Sequence, residues 1–467
     1  MTTLRTNGIT IYEYDSLVSS GQPVEAEGLH AVPARVFNWL EELCLRNSEN
    51  GDAAWIRLVQ RRGRRALQLT NYVGVIRCPD NFQLEVLPKV GKAIGGGAKD
   101  AQQLLMEMLR CLRGFRHIQT ESARLKSARM PLLEVFIAEF LAAVDRVVKR
   151  GLRSDYAIRQ GSLFALRGKL MMATHLRENL HRADRFYTEH DEYSIDRPEN
   201  RLIHAALRRA LEYSVSRENQ QLARELCFTF AEVPISTQVR VDFQRVRVDR
   251  GMTHYGDSLA WARLLLDEDS PLTGSGRNRA PSLLFPMEAV FEAYVAKHLP
   301  AQLMPNLQLS TQARSHHLVR HIDQDWFLLK PDLVIRNKEQ NICVLDTKWK
   351  LLDRNKGTGA DKYELSQADF YQLQAYGQSY LDGVGDVVLI YPKTDNFSDP
   401  LPVFVFPKTE GLRLWVVPFC LKTRQLLLPP DVPFATAFQA ASSTTGIFSS
   451  VDFAAHAIPA ETAQTAS

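Results

Sequence analysis

Two carboxylates and a lysine stand near one another in the last third of the chain. Asp332 lies in Pro331-Asp332, and fourteen positions on come Asp346 and Lys348, in Asp346-Thr347-Lys348. These residue types suit the hydrolysis of a phosphodiester. That reaction needs a cation to neutralise the scissile phosphate and hold an attacking water. Magnesium is a hard ion that takes oxygen ligands, usually one or two carboxylates with waters; manganese (Mn2+) is the alternative to Mg2+. Asp332 and Asp346 would supply the carboxylates, and the backbone carbonyl of Thr347 a third oxygen. Lys348 would position or help deprotonate the water, or counter charge building on the phosphate.

The elements that must carry these groups are strands. In LLKPDLVIRNKEQNICVLDTKWKLL, two β-rich runs, Trp326 to Ile335 and Ile342 to Leu351, flank the polar stretch from Arg336 to Asn341. That is a hairpin signal. Residues two apart on a strand share a face, so Asp346 and Lys348 project together and Thr347 points away. Asp332 reaches the same spot from the partner strand. Neither short motif is specific alone. Pro-Asp recurs at Pro79-Asp80 and Pro430-Asp431, and a D-x-K triplet is expected roughly once in such a chain by composition. The flanking helices add weight. Upstream, FPMEAVFEAYVAKHL places Glu288 and Glu292 one turn apart on one face, where a carboxylate can complete a metal shell or simply face water. Downstream, SQADFYQLQAYGQSYL carries Gln372 and Tyr376 at the same spacing. These fit hydrogen bonds to the substrate backbone or the metal site, and equally an ordinary polar face. The strand DVVLIYP follows.

Composition bounds the rest. A chain of 467 residues is too long for one ordinary core and implies two or three domains. With 45% apolar and 24% charged residues it reads as globular, and its formal charge of +4 permits nucleic-acid binding without requiring it. The six cysteines form no CxxC pair and no zinc-type cluster, so they read as free thiols. The start MTTLRTNGITIYEYDS lacks the pattern of a signal peptide, and no run of eighteen apolar residues would span a membrane. A cytoplasmic protein is expected. The order GxxxxGK[ST] is absent, so Gly95-Gly96-Gly97 reads as a linker and not a phosphate cradle.

The expected fold is α/β and α+β multidomain. Residues 1–95 form a β-rich N-terminal domain, with YVGVIRCP and FQLEVLPKVG as strands about the turn Asp80-Asn81. Residues 96–266 form a mainly helical middle region. Its long helix ends at Val147-Val148-Lys149-Arg150-Gly151, and another runs from Pro198 to Tyr213, capped by Asp196 with Glu199 completing a capping-box-like pair. Arg201, Arg208 and Arg209 on that helix read as a solvated face or a phosphate-contacting one. Over 233–250, Val239, Val241, Phe243, Val246 and Val248 alternate with Arg240, Arg245, Arg247 and Arg250. This predicts a basic β-ribbon, whose arginines would lie along DNA or protect an edge. Residues 267–282 form a linker, 283–428 an α/β domain and 429–467 a disordered tail.

The order helix, strands, hairpin, helix, strand, together with Pro331-Asp332, Asp346-Thr347-Lys348 and Gln372-xxx-Tyr376, resembles the PD-(D/E)xK nuclease superfamily, in the branch with a Q-xxx-Y helix. The segments VGVIRCPDNFQLEVLPKVG, RQGSLFALRGKL, DEYSIDRPENRLIHAALRRAL and LFPMEAVFEAYV resemble the McrC family, the nuclease subunit of McrBC-type modification-dependent restriction systems. The likeness covers most of residues 70–425. It implies a restriction-endonuclease-like core over 283–428, with Asp332, Asp346 and Lys348 catalytic. It favours Glu292 as the helix carboxylate, with Glu288 second, and Gln372 and Tyr376 in support. It implies a McrB-like AAA+ GTPase ring as partner, docked through the N-terminal part and stimulated in nucleotide hydrolysis. The substrate would be double-stranded DNA carrying a modified base that the partner recognises. Two other readings stay open: a nuclease-inactive activator or adaptor of the motor, and a stand-alone DNA repair nuclease.

Overall fold

The computed structural model describes residues 8–20, 26–50, 55–93, 97–112, 131–247, 250–266, 282–338, 340–409, 411–429 and 433–438. The N-terminal region forms two four-stranded sheets. One orders Leu29–Val32, Ser16–Ser19, Arg64–Leu69 and Ile56–Arg61 beside the helix Ala34–Asn50. The other orders Gly8–Tyr12, Gln83–Leu87, Tyr72–Arg77 and Ser282–Pro286. The predicted turn between Tyr72–Arg77 and Gln83–Leu87 is present, with Asp80 and Asn81 both at positive φ.

The C-terminal domain is expected to open at residue 283, which lies within the strand Ser282–Pro286. Instead this strand completes the N-terminal sheet, pairing antiparallel with Tyr72–Arg77. Gly74 makes this possible. Its φ is 134°, and a Cβ there would sit 1.8 Å from the Leu283 carbonyl oxygen. Only glycine allows the two backbones to approach so closely. The chain then runs straight into the helix Met287–His298, whose first amide donates to the Asn71 carbonyl (2.8 Å). The two domains therefore share an element.

The middle region packs the helices Leu132–Arg150, Pro198–Tyr213, Arg217–Thr229 and Gly256–Leu266 around Phe136, Phe140, Leu202, Ala206 and Trp261. The long helix ends at Gly151, at φ 90°. A three-stranded sheet of Asp155–Leu163, Phe186–Ser194 and Lys169–Leu170 stands apart, with Tyr156, Ile158 and Tyr193 exposed.

Three expectations in and around this region are corrected. Residues Val239–Arg245 form a helix, so Arg240, Arg245 and Arg247 do not lie on a β-ribbon. Val239, Phe243 and Val246 fall at i, i+4 and i+7 and pack on the core, so the same apolar set satisfies a helical period. Asp242 fixes the arrangement by pairing with Arg201 (2.9 Å) and accepting from Ser236 Oγ (2.7 Å). Arg240, Arg245 and Arg247 are exposed there. Asp196 does not cap the helix Pro198–Tyr213; Arg197 holds the cap position, and Asp196 instead pairs with Arg201 (2.7 Å). The tail is ordered over 433–438: Pro433–Ala437 is a short 3-10 helix, Phe434 is buried, and Phe438 bridges to Leu303.

The C-terminal sheet orders Gln308–Thr311, Leu333–Asn337, Gln340–Thr347, Gly385–Pro392, Leu412–Cys420 and Phe404–Val405. Its three central strands, from Gln340–Thr347 onward, are parallel. They read as near-continuous apolar runs because both faces are covered. Cys343, Leu345, Val388, Ile390 and Phe419 share a core with Phe291 and Val295 of the helix Met287–His298. Val344, Val387, Leu389 and Val416 share the other core with Leu373 and Tyr380 of the helix Gln367–Tyr380. The period of two thus assigns one helix to each face. The run from Trp326 is divided: Gln324–Leu329 pairs with His316–His321 as a separate hairpin, and Leu333–Asn337 pairs with Gln340–Thr347. Among the described residues no helix is long and apolar enough to cross a membrane, and all six cysteines are free.

Candidate active site

The ends of two adjacent strands bring the acidic pair together. Asp332 precedes Leu333–Asn337, and Asp346 is the penultimate residue of Gln340–Thr347. Asp346 is only 1% exposed. It projects toward the helix Gln367–Tyr380, sharing that face with Val344. Lys348 follows on the same side, and its ammonium lies 2.5 Å from Asp346 Oδ2. The predicted projection of Asp346 and Lys348 to one side is what the structure has.

Thr347 behaves differently from its place in the alternation. Its hydroxyl donates to Asp332 Oδ2 at 2.7 Å, and its amide donates to the same oxygen at 2.8 Å. The residue between the two motif positions therefore orients the first aspartate.

The helix Gln367–Tyr380 completes the cluster. The Gln372 side-chain carbonyl accepts from the Lys348 ammonium (3.2 Å), and its amide lies 3.5 Å from Asp346 Oδ1. That amide also donates to the Tyr376 hydroxyl (2.7 Å), which donates to the Lys330 carbonyl (3.0 Å). Gln372 and Tyr376 thus form a chain that ends one residue before Pro331-Asp332. Asp369, on the same helix, lies 3.9 Å from the Lys348 ammonium and accepts from the Tyr391 hydroxyl (3.4 Å). Sequence reasoning missed Asp369. Its signal was its position three residues before Gln372 and seven before Tyr376, on one helical face.

The two upstream glutamates divide. Glu292 accepts from the Gln312 amide (3.0 Å), and Gln312 donates its backbone N–H to the Asp332 carbonyl (2.8 Å). Glu292 is therefore linked to Asp332 through one residue. Glu288 faces the N-terminal domain, where its charge acts on Glu13, Tyr14 and Tyr72. Arg240, Arg245 and Arg247 lie on or beside the middle-region helix Val239–Arg245 and make none of these contacts.

The electrostatics fit a cation site. Burial, then the neighbouring Asp332 charge, pushes the Asp346 carboxyl up from 3.8 to about 7, against the pull of Lys348. Burial works against the Lys348 ammonium, but the Asp346, Asp369 and Asp332 carboxylates outweigh it and raise its pKa. Two carboxylates held close in a poorly solvated place repel each other, and a dication relieves that repulsion. Among the described residues no three His, Cys, Asp or Glu side chains converge as a metal cluster. The donors on offer are then Asp332 and Asp346, the number magnesium usually takes. The residues fit a hard divalent ion.

Comparison with known proteins agrees with the earlier resemblance. A family described as "McrBC 5-methylcytosine restriction system component" matches residues 67–392, and the chain belongs to that family. No curated protein sequence matches the chain. Among solved structures, the chain is similar to a refined half-complex from a tetradecameric assembly of Thermococcus gammatolerans McrB AAA+ hexamers with bound McrC. The identity is 21%, the TM-score 0.61, and the match covers 88% of this chain and 94% of that one. A cryo-EM structure of the Thermococcus gammatolerans McrBC complex matches at 21% identity and a TM-score of 0.49, over 67% of this chain and 90% of that one.

Proposed function

We propose that this chain is the DNA endonuclease subunit of a 5-methylcytosine-type restriction system. It cuts modified double-stranded DNA when driven by a McrB-like AAA+ GTPase ring, whose GTPase it stimulates. The carrying observation is the convergence of Asp332, Asp346 and Lys348 at the ends of two paired strands, with Gln372 closing the cluster from the helix above. The sheet with one helix on each face supports reading 283–428 as a PD-(D/E)xK core. The fold match to a chain from an assembly of McrB AAA+ hexamers with bound McrC supports the partner.

In this reading Asp332 and Asp346 would hold Mg2+ or Mn2+, with the Thr347 carbonyl as a further oxygen, while Glu292 is linked to the backbone of Asp332 through Gln312. When bound, the ion neutralises the scissile phosphate and lowers the pKa of the attacking water. Thr347 fixes the orientation of Asp332. Lys348 presents a permanent cation beside Asp346, to bind a phosphate oxygen or guide the water. Gln372 and Tyr376 hold that ammonium in place from the far side. Burial of Asp346 keeps bulk water from competing for it.

The test uses the chain with its AAA+ partner, GTP, Mg2+ and methylated DNA. Cleavage is expected from the wild type and none from Asp346→Ala, with partner binding intact. Persistent cleavage by the variant rejects the site. The isolated chain is expected to cut little; robust cutting without partner or nucleotide favours a stand-alone nuclease.

A further inference from the structure

A buried hydrogen-bonded contact ties the catalytic edge to the N-terminal domain. Trp349 follows Lys348 and is 4% exposed. Its indole N–H donates to both oxygens of Glu13, at 2.8 Å to Oε1 and 3.0 Å to Oε2. Glu13 comes directly after the strand Gly8–Tyr12 and is 2% exposed. Its Oε1 also accepts from the Lys89 backbone N–H (3.0 Å). The Trp349 ring packs on Phe291 of the helix Met287–His298, 5.3 Å between centroids.

This contact is costly for a merely structural one. A buried indole needs only one acceptor, and a backbone carbonyl would serve. A buried carboxylate carries a large desolvation penalty. Its position explains its use. The Lys348 amide makes the last ladder bond of its strand, to Ile390 (2.9 Å). Among the described residues, no backbone-to-backbone bond holds the stretch from Trp349 to Leu352. Beyond Lys348 the chain is therefore held by side chains: the Trp349 indole by Glu13, and the Lys350 ammonium by the Glu364 carbonyl.

We propose that Glu13 is a positioning residue for the nuclease site: by fixing Trp349, it holds the adjacent Lys348 against Asp346 from the N-terminal domain. This rests on the nuclease reading above. It places a group that sets the catalytic lysine in the region the family resemblance assigns to partner docking. The shared strand Ser282–Pro286, which leads into the helix carrying Phe291 and Glu292, is a second tie between the same two domains.

The experiment compares Trp349→Phe, Glu13→Ala and Glu13→Gln in the complete complex. Phenylalanine keeps an aromatic ring against Phe291, though a smaller one, and removes the donor. Glutamine keeps Oε1, which accepts from both Trp349 and Lys89. Trp349→Phe and Glu13→Ala are each expected to lower kcat for cleavage about tenfold, with KM for DNA and GTPase stimulation unchanged. Glu13→Gln is expected to recover most of the rate. Amide hydrogen exchange over residues 345–350 is expected to quicken in the first two and not in the glutamine variant. A folded Trp349→Phe that cleaves at the wild-type rate, or unchanged exchange in those amides, overturns the proposal. Failure of the wild type to cut at all defeats the nuclease reading instead; the exchange measurement then decides the tether by itself.

Discussion

Asp332 is held by Thr347 through two hydrogen bonds to one oxygen, from the amide at 2.8 Å and the hydroxyl at 2.7 Å. The middle residue of Asp346-Thr347-Lys348 therefore has a side-chain role in addition to any role of its carbonyl. Thr347→Val keeps the shape and the backbone bond and removes the hydroxyl. It is expected to lower cleavage roughly 10-fold, as loss of an orienting partner does at metal sites. Thr347→Ser is expected to keep most of the rate. Equal rates for wild type and Thr347→Val in a steady-state cleavage assay would show that the amide alone orients Asp332.

Strand alternation alone sent Thr347 away from the site, and the reason is instructive. Asp332 lies just outside its strand and Thr347 ends the neighbouring one. Side-chain direction at strand ends is set by the partner that needs a donor, and the period of two governs only the interior. The interior was legible for that reason: Cys343, Val344 and Leu345 alternate between the two cores as a doubly covered strand must. Gln372 and Tyr376 were legible as a helical pair, while Asp369 on the same face was passed over. The apolar residues from Val239 fit a period of two and a helical period alike in the sequence. Val239, Phe243 and Val246 suit a helix, and the deciding partner, Arg201, lies 41 residues from Asp242. The link between Glu13 and Trp349 spans 336 positions and carries no local pattern.

The raised Asp346 pKa has a consequence for stability. In the metal-free protein this carboxyl titrates near 7 in place of 3.8. Between those values the folded chain retains a proton that the unfolded chain has released. Stability contributed at this position therefore falls as pH rises through that window. Asp346→Asn removes the dependence. In chelator, its thermal midpoint relative to that of the wild type is expected to rise from pH 5 to pH 7. Added Mg2+ at neutral pH is expected to raise the wild-type midpoint and leave the variant unmoved. A constant margin across pH would show that the carboxyl is not strained in the folded state.

Tyr376 and Tyr380 separate support of the site from support of the fold. The Tyr376 hydroxyl joins Gln372 to the Lys330 carbonyl, whereas the Tyr380 hydroxyl donates to the Leu329 and Ala313 carbonyls. Each change to phenylalanine is expected to cost about 1 kcal/mol in denaturant unfolding. Only Tyr376→Phe removes the hydroxyl that anchors the Gln372 amide and so orients its carbonyl toward Lys348, so only it is expected to lower kcat, by roughly 10-fold. Equal activity losses in both variants would mean that Gln372 does not depend on Tyr376.

Glu134 tests whether the middle region can be weakened without touching the chemistry. Its carboxylate is 1% exposed and sits at the start of the helix Arg217–Thr229. It accepts from Ser214 Oγ (2.7 Å), the Val215 and Ser216 amides (2.5 and 3.2 Å) and the Asn219 side-chain amide (2.7 Å). Glu134→Ala strands these buried donors, two of them helix-entry amides, and removes an anion from the positive end of the helix dipole. The expected loss is about 3 kcal/mol or more, since each unsatisfied buried group costs on the order of 1–3 kcal/mol. It would be read as a lower urea midpoint with an unchanged slope. None of these groups contacts Asp332, Asp346 or Lys348, so cleavage per folded molecule is expected to stay at the wild-type level. A lowered kcat in fully folded Glu134→Ala would mean that the middle helices help to shape the catalytic edge.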